Sequence, residues 1–85
     1  MKKQIKLLNS DWQEDGDALA RTFKFENFQQ SIDFINKVAE PAQRHNHHPD
    51  IQISYNEVTL TLITHEQGEI TKKDLDLAKE IEDIT

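Results

Sequence analysis

Between Ala18 and Phe25 the chain alternates: Leu19, Arg21, Phe23 and Phe25 share one parity, and Ala18, Ala20, Thr22 and Lys24 the other. A period of two predicts a half-buried strand. From Phe28 the period lengthens, and Phe28, Ile32, Ile35, Val38, Ala39 and Ala42 recur at helical spacing behind Asn27, a residue suited to N-capping. A helix is predicted there, with that stripe turned to the core. Pro41 lies inside the pattern. Lacking an amide hydrogen, it is expected to kink the helix or end its regular part, so the end falls between residues 40 and 46.

Alternation returns at Asp50, with Ile51, Ile53 and Tyr55 on one side, and again from Glu57 to His65, with Val58, Leu60 and Leu62 on one side. Two strands meeting at Asn56 and Glu57 predict a hairpin. Thr59, Thr61, Ile63 and His65 hold the opposite parity, which predicts that His65 projects from the strand end on the face away from Val58 and Leu60 unless a bulge intervenes. Glu66, Gln67 and Gly68 turn the chain, and Thr71 with Asp74 fits a capping box opening a helix that buries Leu75, Ala78 and Ile81. Upstream, residues 4 to 8 (QIKLL) suit a short edge strand or a helical turn, and Asp11 to Asp17 reads as a polar loop around Trp12 and Gly16.

The predicted order is strand, helix, strand, strand, helix, with an optional N-terminal strand. Hairpin-joined strands are antiparallel, and two amphipathic helices need one sheet face to cover. The expected fold is therefore an α+β two-layer domain, an antiparallel sheet of three to four strands with two main helices on one face. No repeat or linker divides residues 1 to 85, which are expected to form one domain. A chain of 85 residues makes a thin core. It contains no cysteine to staple that core, so a homo-oligomer, dimer or tetramer, is the expected route to further burial.

Charge narrows the partners. Sixteen acidic against ten basic side chains give a net charge of -6. That charge opposes a nucleic-acid backbone, and nucleic acid is not an expected partner. The apolar stretch after the N-terminal lysines is too short for a signal peptide, and no run approaches a membrane span. A cytoplasmic protein with no membrane partner is the expectation.

The chemistry rests on histidine. His45, His47 and His48 cluster at the helix exit, and His65 ends the second hairpin strand. Imidazole exchanges protons near neutral pH. Because the start of one hairpin strand lies opposite the end of the other, His47 and His48 are expected at the same end of the sheet as His65.

His47-His48-Pro49-Asp50, Tyr55-Asn56, Val58, Thr64-His65, Thr71, Asp74 and Leu77-Ala78 together resemble the pterin-4a-carbinolamine dehydratase family. Phe23-Lys24-Phe25, Asn27-Phe28 and Phe34 extend the resemblance, which covers residues 12 to 84. It implies dehydration of a 4a-hydroxytetrahydropterin to the quinonoid dihydropterin, in support of tetrahydrobiopterin recycling, with a small-molecule pterin as substrate and no metal or organic cofactor. It further implies His47, His48 and His65 as catalytic residues: His47 and His65 as general acids for the leaving hydroxyl, His48 mainly in substrate binding. Gln43, His48 and Pro49 are the implied substrate-binding positions. The sequence departs from the family at Gln43, where an acidic residue is common, at Ile51, where tryptophan is frequent, and at Pro41.

Simpler readings cover the neighbouring residues. A helix-opening Thr-x-x-Asp is explained by capping, so Asp74 stands outside the catalytic set. His45 is set aside, and Tyr55 reads as core or hairpin packing. A metal site is disfavoured, since adjacent histidines are seldom held in one tetrahedral shell and no histidine pair has helical i, i+4 spacing. The resemblance leaves one alternative function, a catalytically weak member acting as a protein-interaction or dimerisation module.

Overall fold

The computed structural model describes residues 12–84. The QIKLL segment lies outside them. The elements are β1 (Gln13–Asp15), β2 (Ala18–Lys24), α1 (Phe28–His45), β3 (Asp50–Ser54), β4 (Glu57–Leu62) and α2 (Lys72–Asp83). All strand pairs are antiparallel, in the order β1-β2-β4-β3. The fold is thus the α+β arrangement expected from the sequence, with both helices packed against the core.

Alternation in the central strands decides which face is covered. Leu19 pairs with Leu62 and Phe23 with Val58, and directly paired residues point to one face. These four and Leu60 are buried with Phe34, Val38, Leu75, Leu77, Ala78 and Ile81 of the helices. On the opposite face Thr22 and Thr59 share a hydroxyl hydrogen bond of 2.9 Å.

Three local expectations are corrected. The segment read as a polar loop contains β1: Gln13, Glu14 and Asp15 pair with Ala20, Leu19 and Ala18. All three are exposed, so no alternation marked them. Gly16, at φ 63° in the connecting turn, supplies a backbone conformation that side chains disfavour. The hairpin turn sits at Tyr55 and Asn56, one residue before the expected place. There the Phe25 amide donates to the Asn56 carbonyl (2.8 Å) and the Asn56 amide group to the Phe25 carbonyl (3.1 Å). Tyr55, at φ 51°, is 64% exposed and packs in no core.

The third correction is a rotation of α1. Asn27 caps it, accepting from the Gln30 amide at 2.9 Å. The buried positions, however, are Ser31, Phe34, Val38, Pro41 and Ala42, while Phe28 and Ala39 are exposed. Two contacts turn the helix: the Ser31 hydroxyl donates to the Tyr55 carbonyl (3.0 Å), and the Phe34 ring lies 4.6 Å from Phe23 and 5.2 Å from Phe25. Pro41 does not end the helix, which runs on to His45.

Beyond Pro41, Arg44 bridges the helices, donating to Glu40 and to Glu80 of α2, each at 2.7 Å. These hydrogen bonds hold both carboxyls below their ordinary range and the guanidinium above its own. Carboxyls depressed on folding stabilise above their unfolded pKa, and the contribution is lost as pH falls through the lowered folded value. Arg44→Ala is therefore expected to lower the melting temperature near neutral pH and to have less effect in acid. The change is small because both carboxylates face solvent. Thermal melts across the acidic range, with and without added salt, check it.

Candidate functional site

The end of α1 sets the direction of the histidine pair. Asn46 takes the left-handed conformation (φ 50°, ψ 42°). Its amide donates to the Gln43 carbonyl and the His47 amide to the Ala42 carbonyl, both at 3.1 Å. This double closure is a Schellman motif, with Asn46 where glycine is commonest. It reverses the chain so that His47 turns inward and His48 stays at the surface. Pro49, buried, then restricts His48 to extended backbone leading into β3.

His47 meets a carboxylate. Its Nε2 lies 2.5 Å from Asp74 Oδ1; the histidine side chain is 11% exposed and the aspartate 0%. The other carboxylate oxygen, Oδ2, accepts from the Thr71 amide (2.9 Å) and the Thr64 hydroxyl (2.8 Å). A carboxylate only accepts, so Thr64 gives it a proton and receives one from the Thr71 hydroxyl, 2.6 Å away. The same logic makes His47 Nε2 the protonated nitrogen and leaves Nδ1 for another partner. Asp74 thus gathers the helix exit, the hairpin end and the start of α2 at one point.

In the sequence, capping alone explains the spacing of Asp74 from Thr71. The structure retains that role and adds a second. A surface cap is wet on one side; this carboxylate is wholly buried, and an unpaired buried charge is costly. The available signal was its position between Thr71 and the buried Leu75, Leu77 and Ala78, but only the fold supplies the histidine.

His48 is exposed, its Nε2 3.0 Å from Gln43 Oε1. His65 departs from its expected place: β4 ends at Leu62, and His65 is exposed in the turn that follows. Thr64 pairs with Glu69 in an isolated bridge, and the Thr64 carbonyl accepts from the Gln67 and Gly68 amides. That turn lifts His65 out of the ladder, so strand parity does not govern it. Among the described residues no hydrogen bond or ion pair joins His65 to His47 or His48; its neighbour Thr64 reaches His47 through Asp74. His45 points elsewhere, its Nε2 3.3 Å from Glu80.

Among the described residues no group of three or more histidine, cysteine or carboxylate side chains is placed to hold a metal ion. No described helix is long and apolar enough to cross a membrane.

Over the described residues, fold and site together define an α+β protein with two helices over a four-stranded antiparallel sheet and a histidine anchored on a buried carboxylate at the hairpin end. The family model for pterin 4 alpha carbinolamine dehydratase matches residues 1–84. The chain belongs to that family. A relative from Picosynechococcus, provisionally named a pterin-4-alpha-carbinolamine dehydratase, is 53% identical over 68 residues, covering 80% of this chain and 74% of the relative. One from Thermomicrobium roseum, named likewise, is 49% identical over 73 residues, 86% and 78% of the two chains. The crystal structure of a transcriptional coactivator/pterin dehydratase from Brucella melitensis superposes with a TM-score of 0.90 at 31% identity, covering 99% of this chain and 90% of the other. A pterin dehydratase-like protein identified as a RuBisCO assembly factor in the alpha-carboxysome shares the fold, with a TM-score of 0.73 at 20% identity over 88% and 89% of the chains.

Proposed function

We propose that this protein dehydrates a 4a-hydroxytetrahydropterin to the quinonoid dihydropterin by histidine acid-base catalysis, in support of tetrahydrobiopterin recycling. The observation that carries the reading is the His47–Asp74 pair, set beside His48 and the Thr64–His65 turn in a chain of this family. In the reaction the C4a–O bond breaks while a ring N–H gives up its proton and its electron pair forms the C=N bond. One proton goes to the departing hydroxide and one leaves the nitrogen, so the balance requires no co-reactant. His47, oriented through Nε2, offers Nδ1 to the substrate as one proton-transfer group. His65, which makes no side-chain hydrogen bond or ion pair among the described residues, serves as the other. His48 and Pro49 bind the flat heterocycle, with Gln43 beside them.

The test is turnover of a freshly generated 4a-hydroxytetrahydropterin. Wild type is expected to accelerate the loss of water, and His65→Ala to reduce the rate by about 100-fold or more while leaving the melting temperature within a degree or so. A wild-type rate equal to buffer would overturn the proposal and favour the interaction module.

The partner expected alongside the pterin is a second copy of the chain. Among the described residues β3 is an edge strand, exposed at all five positions. Ile51 pairs with Leu60 and Ile53 with Val58, so both face the helix side, yet they are 43% and 38% exposed. Phe28, 49% exposed, lies one turn before Ser31, which is bonded to the hairpin tip. An apolar edge of this kind is covered by edge-to-edge pairing of two β3 strands. Ile53→Asp is expected to shift the protein toward monomer in sedimentation equilibrium; an unchanged mass would rule this surface out.

A further inference from the structure

Gln43 sits one helical turn before Asn46, and the Schellman closure returns the chain so that His48, five residues on, lies back over it. The side-chain oxygen of Gln43 is 3.0 Å from His48 Nε2. An amide oxygen accepts and cannot donate, so this contact requires hydrogen on Nε2. In a neutral imidazole the other nitrogen, Nδ1, is then a bare acceptor. The buried Pro49 limits the backbone freedom with which His48 could turn away.

We propose that Gln43 is a positioning residue that holds His48 as its neutral Nε2–H tautomer, so that His48 presents Nδ1 as a hydrogen-bond acceptor to an N–H or O–H donor of the substrate. This rests on the pterin reading for the identity of the donor but not for the tautomer. The two histidines of the pair are thereby set by different acceptors: His47 by a buried carboxylate, His48 by a neutral surface amide. Gln43 works through His48 and contributes no contact to the reacting atoms.

The experiment is nitrogen-15 NMR of the histidine rings, above their titration range, in wild type, Gln43→Leu and Gln43→Glu. Wild type is expected to show His48 mainly as the Nε2–H form. Gln43→Leu removes the acceptor and should shift the tautomer ratio about three- to tenfold toward Nδ1–H, the worth of one ordinary hydrogen bond. Gln43→Glu keeps an acceptor and should retain the wild-type tautomer. In the dehydration assay Gln43→Leu should lower kcat/KM by a similar factor, largely through KM. Gln43→Glu should move the acid limb of kcat/KM to higher pH by about one unit, since a carboxylate favours the imidazolium and removes the acceptor. An unchanged His48 nitrogen pattern in Gln43→Leu would overturn the tautomer assignment. A shifted tautomer with unchanged kcat/KM would overturn the acceptor role toward substrate. If wild type lacks turnover while the tautomer still shifts, the pterin reading and the substrate role fail together and the Gln43–His48 lock stands.

Discussion

Asp74→Asn is expected to slow pterin dehydration by about 100- to 10,000-fold while leaving a folded protein. Asparagine keeps the shape but replaces one accepting oxygen with an NH2 group. Asp74 accepts from three donors, His47, Thr64 and the Thr71 amide. The amide cannot satisfy all three. If its NH2 faces His47, the ring must accept through Nε2 and carry its hydrogen on Nδ1, the tautomer opposite to that set by the carboxylate. Asp74→Ala goes further: it leaves the Thr71 amide and the Thr64 hydroxyl without their acceptor in a buried setting and frees the end of α2. We expect a loss of about 3 kcal/mol. For 85 residues, total stability is on the order of 4 to 13 kcal/mol, so this variant can lie near the edge of folding. Urea unfolding separates the two substitutions. An Asp74→Asn protein with wild-type turnover would show that the carboxylate serves capping alone.

His47→Ala is expected to cut turnover by a similar factor of about 100 to 10,000. It also removes a donor from a carboxylate with no exposure, so stability should fall by about 1 to 3 kcal/mol. Because His47 and Asp74 touch, their effects should not add: the double variant His47→Ala, Asp74→Asn should lose little more activity than His47→Ala alone. Additive losses in a full cycle of rates would mean that Asp74 acts on the reaction independently of His47. His45→Ala provides the contrast, since its side chain faces Glu80 and should leave turnover near wild type.

Asp74, the buried carboxylate of the candidate site, is the residue whose contacts are least legible in the sequence. Thr71-x-x-Asp74 is a complete local explanation, and a local pattern carries no information about which residue 27 positions away comes to rest against it. The rotation of α1 has a similar origin. Its apolar residues form a broad surface, and periodicity marks the stripe Phe28, Ile32, Ile35, Ala39 as readily as the one that is buried. Phe34 and Ser31 decide between them through partners on β2 and the hairpin tip. β1 was invisible because Gln13, Glu14 and Asp15 pair as strand while all remain exposed. Strand parity does not reach His65, because the ladder stops at Leu62.

Local periodicity carried the two helices, the hairpin and β2, because burial of one side of a helix or strand imprints a repeat that short-range sterics and capping then reinforce. It also carried the adjacency of His47 and His48 to the hairpin end, since antiparallel pairing leaves no other end for them. Long-range contact determined the rest: which stripe of α1 faces inward, where the turn falls, and that Asp74 holds His47 while Gln43 meets His48. These depend on side chains brought together by packing, and neither spacing nor composition encodes the choice among several partners of the same chemistry.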